Sequence, residues 1–167
     1  MRLDDVERAA DRALAALALV GVLALMAAMA VLMVDIAARK TIGFSVLGMI
    51  DLQQLAQMAC VFFVLPLAFL RRSHISVDFV TDRLPPRALA AVELASALLG
   101  ITLLGAILWY SWEQAAIQHA QRDRSVTLGI PMAAYWAPLL LGTALSVLAL
   151  LLTAFKALLA FAAGRRP

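Results

Sequence analysis

The stretch FFVLPLAFLRRSHISVDFVTDRLPP, Phe62 to Pro86, decides how the chain is organised. An apolar run ends at Leu70, Arg71 and Arg72 follow at once, and a short amphipathic segment leads to Pro85-Pro86. Hydrophobic segments long enough to cross a bilayer lie on either side of it. The stretch is therefore a loop pinned at a membrane surface, with two spans before it and two after.

Composition agrees. Of 167 residues, 64% are hydrophobic and the mean hydropathy is +0.92, against about 45–50% apolar in a soluble domain. Much of this surface must meet lipid. One compact unit is expected at this length. The 14 basic and 11 acidic residues leave a net charge of +3. In a soluble chain that balance raises a nucleic-acid partner, but here the bases flank apolar runs and report orientation instead. Cys60 is the only cysteine and lies inside an apolar run, so neither a disulfide framework nor a thiolate metal site is expected.

Working outward, the spans fall at approximately 13–36, 47–70, 88–110 and 131–155. The first is uncharged from Ala13 to Val34, which at ~1.5 Å per residue covers the ~30 Å hydrocarbon core. The third and fourth are each introduced by proline, which suits a helix start and not its interior. Before the first span, MRLDDVERAADR mixes three arginines with four acids, unlike the positive n-region of a cleaved signal. Leu3, Val6, Ala10 and Leu14 form one helical stripe there. That stripe fits either a short interfacial helix or a solvated extension of span one. The fold class is thus an all-α integral membrane protein with four transmembrane helices, as one domain.

Basic residues set the orientation. The N-terminal segment, the loop after span two and the C-terminal end carry ten between them, while the loops after spans one and three carry four. Positive charge favours the cytoplasmic side, so both termini and the loop after Leu70 are expected inside.

Charge deep in a bilayer costs about 2.5–3.5 kcal/mol on insertion scales and marks function by default. Asp35 ends span one, four residues before Arg39, and can pair with it along one face. Asp51 lies about a turn into span two, Glu93 about two turns into span three, and Glu113 just past its outer end. None is central. Interfacial placement with local pairing accounts for them, and so does a polar surface that docks another membrane subunit. Gln53, Gln57 and Cys60 share one face of span two, and Asp51, Gln54 and Met58 lie on a neighbouring one; amides in lipid seek partners, so this end of the span is expected to face protein. Whether their partner is another span of this chain or a separate subunit stays open. Pro66 frees a backbone carbonyl and can kink span two. Small residues four apart, at Ala24/Ala28, Ser96/Gly100 and Gly142/Ser146, are candidate contact seams. Trp109, Tyr110, Trp112, Tyr135 and Trp136 cluster at the outer ends of spans three and four, as in an aromatic belt.

His74 and His119 both fall in expected loops, so no histidine pair is placed to hold a haem between helices. No phosphate-binding glycine loop, metal-ligand cluster or catalytic serine–histidine–carboxylate set occurs, so no cofactor is expected and these absences point away from an enzyme. Nor is any span broken by a polar unwound segment of the kind from which alternating-access carriers build their sites. A helper subunit is the better physical account.

Three stretches carry a family resemblance. In DIAARKTIGFSVLGMIDLQQLA, Asp35 to Ala56, a basic residue (Arg39), an aromatic and glycine-bearing turn (Phe44) and an acid opening span two (Asp51) occur in order. In PLAFLRRSHISVDFVTDRLP the run is Arg72, His74, Ile75, Val77 and Asp78, and in RSVTLGIPMAAYWAPLLLG it is Ser125, Leu128, Pro131 and Gly142. With these motifs between four spans, the chain resembles the small, DctQ-like membrane subunit of tripartite ATP-independent periplasmic (TRAP) transporters, with Asp51 where the family more usually has Glu. The resemblance implies a bacterial inner-membrane location, a large permease subunit and a periplasmic solute-binding protein as partners, and import of organic anions such as carboxylates, driven by an ion gradient, typically sodium. It implies no catalytic or ion-binding residue here. Arg39, Asp51, Arg72, His74, Asp78, Arg124, Ser125 and Pro131 are the candidates for subunit contact or structural roles.

Three other identities remain open: the small subunit of a tripartite tricarboxylate transporter, a membrane anchor of another inner-membrane complex, and a small exporter-like carrier. The loops 37–46 and 111–130 are the expected meeting points with the receptor. The stretch 62–86, being cytoplasmic, is expected to act as a clamp between spans two and three, with Arg71 and Arg72 reaching lipid headgroups. The topology has a direct test. Alkaline phosphatase fused after Lys40 or Arg124 should be active and fused after Arg83 inactive; the reverse pattern would overturn it.

Overall fold

The computed structural model describes residues 3–43, 47–71 and 86–163. They form four helices: α1 Leu3–Ile42, α2 Met49–Leu70, α3 Pro86–Gln121 and α4 Ala133–Ala163. All four are long and apolar enough to cross a membrane. The expected loop residues Arg72, His74 and Asp78, and with them most of the inner clamp, lie outside the described residues.

Several helix ends run past the expected spans, including that of α4, which continues from Phe155 to Ala163, for one reason: hydropathy reports where lipid ends, and a helix can continue past that point. The N-terminal stripe is the first turns of α1 itself, one continuous 40-residue helix, so the extension holds and a separate interfacial helix does not. At its other end α1 runs on through Arg39 and Lys40. Likewise α3 continues from Tyr110 to Gln121, which places His119 in its last turn and not in a loop. Pro86 does begin α3. Pro131, in contrast, precedes α4 by two residues and belongs to the connection before it.

The helices pack in a row. α1 lies against α2, α2 against α4, and α4 against α3. Two antiparallel hairpins are therefore joined through α2 and α4, which run parallel. With lipid on the outside there is little hydrophobic drive between helices, and close approach depends on small residues at the points of contact.

Each seam shows this. On α1 the residues turned inward are Leu14, Ala18, Gly21, Leu25, Ala28, Leu32 and Asp35, all buried or half-buried. Their alternating spacing of four and three is the heptad rule of left-handed helix packing. Gly21 lets α1 reach the α2 backbone: a Cβ there would lie 2.9 Å from the Ala59 carbonyl oxygen and 3.0 Å from Cys60 Cα. On α3 the inward set is Ala97, Ile101, Leu104, Leu108, Ser111, Ala115 and Gln118, again at heptad spacing. Gly100 beside it leaves room for Leu150 of α4.

The α2–α4 junction is closest of all. A Cβ on Gly142 would run into the backbone carbonyl of Phe62. Thr143 and Ser146 are fully buried there, and each hydroxyl donates to a carbonyl three or four residues back, Leu139 at 2.6 Å and Gly142 at 2.8 Å. Their hydroxyls are thus satisfied within α4, and their contribution to the seam is small size. Of the three expected small-residue pairs, Gly142/Ser146 is a contact seam, Ala28 and Gly100 are each half of one, and Ser96 is exposed with its hydroxyl turned to the Val92 carbonyl.

At the end of α1–α2 nearer the chain's start, Arg71 grips Asp11 with two bonds, Nε to Oδ1 at 2.7 Å and Nη2 to Oδ2 at 3.0 Å. Asp11 and Arg71, then Gly21 and Ala59, fix an antiparallel register that brings Asp35 to the level of the α1–α2 turn. Asp35 is buried there and paired with Arg39 at 2.7 Å, the local pairing its spacing implied.

Gly142→Leu should therefore force α2 and α4 apart, at a cost of about 2 kcal/mol or more. Gly105→Leu, where a side chain would meet open space, should be tolerated. Thermal unfolding of the two variants in detergent compares them directly; equal stability would refute the close junction.

Candidate functional site

The polar side chains that bond across elements gather mainly at one end of the row, where α2 begins. The turn before it puts Gly48 in the left-handed region, φ +86°, with no side chain capping the helix. Asp51 follows in the first turn, where a negative charge is favoured by the helix dipole. Its carboxylate is buried and accepts two bonds on Oδ2: from the Ser125 hydroxyl at 2.7 Å and from the Leu128 backbone N–H at 2.9 Å. Its main-chain carbonyl accepts a third, from the Tyr135 hydroxyl at 3.3 Å.

Ser125 and Leu128 belong to the connection between α3 and α4, which is folded and short. α3 ends in a Schellman-type cap: Asp123 N–H bonds to the Gln118 carbonyl and Arg122 N–H to that of His119, both at 3.1 Å. Arg122 takes the left-handed conformation this cap needs, φ 55°. The chain then pairs with itself across an antiparallel bridge between Arg124 and Pro131. Ser125 N–H donates to the Ile130 carbonyl at 2.8 Å, and Ile130 N–H donates back to the Ser125 hydroxyl oxygen at 3.1 Å. Met132 N–H closes the base on the Asp123 carbonyl at 3.0 Å. Gly129, φ +65°, supplies the reversal, and the Arg124 guanidinium donates to its carbonyl at 3.3 Å.

The Ser125 hydroxyl thus donates to Asp51 and accepts from Ile130, joining a loop to a helix 74 residues earlier. The Leu128 side chain completes the lock from the apolar side, sitting where a Cβ of Gly48 would be. Gly48 is therefore required twice, for its φ and for that space.

Tyr135 and Trp136, expected in an aromatic belt, are turned into the fold. Tyr135 is buried on Asp51, and the Trp136 indole N–H donates to Gln118 Oε1 at 2.7 Å, tying α4 to α3. Trp109, Tyr110 and Trp112 are exposed on α3, as a belt requires. Of the sequence-derived candidates, the structure brings Asp51 and Ser125 into contact and sets Arg124 and Pro131 across one bridge. Arg39 is held apart on Asp35. Tyr135, Gln118 and Gly48 were missed; only Gly48, directly before an acidic helix start, left a usable signal.

No group of residues that could hold a metal ion occurs among the described residues, and no described buried side-chain N or O atom lacks a hydrogen bond. What the arrangement can do is hold a loop still. The family model for the DctQ component of tripartite ATP-independent periplasmic transporters matches residues 28–160, from the middle of α1 almost to the end of α4. The chain belongs to this family. A comparison with curated proteins returned no match. Membership makes it a component of a transporter, a multi-pass membrane protein and the small permease subunit. The matched region contains the Asp51 lock whole.

Asp51→Ala should free the connection without unfolding the helices. Amide hydrogen exchange at Leu128 and Ile130 is expected to rise at least about tenfold, with exchange in mid-α4 unchanged. Unaltered exchange in 122–132 would show that the lock does not hold it.

Proposed function

We propose that this DctQ component is a fixed scaffold for the large permease subunit and helps present a docking face to the periplasmic solute-binding protein. The transporter so formed imports organic anions such as carboxylates, driven by an ion gradient, sodium first among the candidates. The chain sits in the bacterial inner membrane with both termini cytoplasmic, which puts the Asp51 lock on the periplasmic side.

The observation that carries this is the lock itself. A docking face works best when its shape is set before the partner arrives, because ordering a loop on contact subtracts from affinity. Here a connection of eleven residues, 122–132, is tied to α2 through Asp51, to itself across the Arg124–Pro131 bridge, and to the adjoining ends of α3 and α4. Lys40, Arg122 and Arg124 are exposed at this end, beside Arg39, whose charge is balanced by Asp35. They give it a positive rim suited to steering acidic groups on a receptor. Contact falls on the α1 end, the α3 end and the folded connection, since residues 111–121 are helix and not the loop expected there.

Reversing Arg122 and Arg124 to Glu should lower receptor-dependent uptake on the order of fivefold while the two membrane subunits still copurify. Arg124→Gln removes the charge without reversing it, so an intermediate effect is expected. Full uptake in the doubly reversed variant would retire the docking role.

A further inference from the structure

The exposed face of α2 carries amides where lipid offers them nothing. Ile50, Gln54, Gln57 and Val61 are exposed and recur at spacings of four, three and four, with Leu47 continuing the line into the preceding turn. This is the heptad rule by which α1 and α3 of the same chain pack on their neighbours. Here the line has no neighbour: Leu47 is 82% exposed, Ile50 78% and Val61 51%. The structure gives neither Gln54 nor Gln57 a hydrogen-bond partner among the described residues.

Depth makes this consequential. α2 has 22 residues, about 33 Å at ~1.5 Å per residue, hardly more than the hydrocarbon core it must cross. It has no surplus length to lift its amides into water, so Gln54 and Gln57 enter the bilayer with it. Exposed Ser96 and Thr102 on α3 sit in the same solvent but bond their own backbone carbonyls at 2.6 and 2.9 Å. A glutamine side chain has no such short return. Rotation of α2 does not hide the face either, because the Asp51 bonds and the Phe62–Gly142 contact fix the helix about its axis.

We infer that the line Leu47–Ile50–Gln54–Gln57–Val61 is the intramembrane docking seam for a transmembrane helix of the large permease subunit, one that presents hydrogen-bonding groups to Gln54 and Gln57. The inference rests on the proposed scaffold role and adds to it the face that performs it. The apolar residues supply packing, and the two amides set register, since a helix displaced by one turn leaves them unpaired.

The experiment uses the complete transporter in its own membrane. A photoreactive phenylalanine replaces Gln54 or Gln57 and, as controls on other exposed faces, Leu23 of α1 or Leu99 of α3. Crosslinks to the large subunit should be several-fold stronger from 54 and 57 than from 23 and 99. Gln57→Leu should lower recovery of the large subunit with the tagged chain several-fold, and Gln57→Asn should restore most of it. If 54 and 57 capture lipid or a second copy of this chain while 23 or 99 captures the large subunit, the seam is wrong and the scaffold role stands. If no position captures the large subunit and the two do not copurify, the scaffold role itself falls and the seam with it.

Discussion

A carboxylate in the first turn of a membrane helix is favoured by the helix dipole, and Asp51 turns that favour into tertiary structure. The uncapped start of α2 would otherwise leave a charged group at the edge of lipid with only water to satisfy it. Instead Oδ2 accepts from a hydroxyl and a backbone N–H of the distant connection, while its own carbonyl receives the Tyr135 hydroxyl of α4. The connection in turn fixes where α3 ends and α4 begins. One residue therefore couples the two hairpins at this end, beside the packing of Leu128 on Gly48 and the burial of Tyr135.

Further along the row, distance between backbones takes over. Gly21 against Ala59 and Cys60, and Gly142 against Phe62, are places where two helices touch with almost no side chain between them. α2 is the helix common to both contacts, so its position is determined from two sides. α1 and α3, at the ends of the row, each have a single principal neighbour and show most of their surface to lipid. The Asp11–Arg71 pair then closes the α1–α2 hairpin at the opposite end from Asp51. Being exposed, it contributes register more than stability.

How much of this was legible in the sequence depends on which property had to be read. Four spans follow from length and hydropathy alone, and Asp35–Arg39 from a spacing of four. Helix ends were not legible: Ser111 to Gln121 looks like loop because it is polar, yet a helix leaving the bilayer is free to be polar. Inward and outward faces were obscured for a related reason. In water the buried stripe is the apolar one, but in lipid both sides are apolar. Hydropathy does not separate inward Leu14 and Leu25 from outward Leu19 and Leu23, and only the small size of Ala18, Gly21 and Ala28 hints at the seam. The lock was half legible. Asp51 and Ser125 stood out by motif, but nothing in the string brings residue 51 to residue 125, and Tyr135 and Trp136 imitate a belt because aromatic rings suit both places.

The same ambiguity makes polar residues the most informative ones in this chain. A buried Thr143 or Ser146 reports little about partners, since its hydroxyl is returned to its own helix. Gln118 is explained by Trp136, and Asp51 by Ser125 and Leu128. Once each internally satisfied group is set aside, Gln54 and Gln57 are the exposed amides left on the shortest helix, the one least able to raise them to the surface. A subunit that must associate with another membrane protein, without hydrophobic drive, needs a place where lipid is a worse solvent than protein. On α2 the two amides make it one.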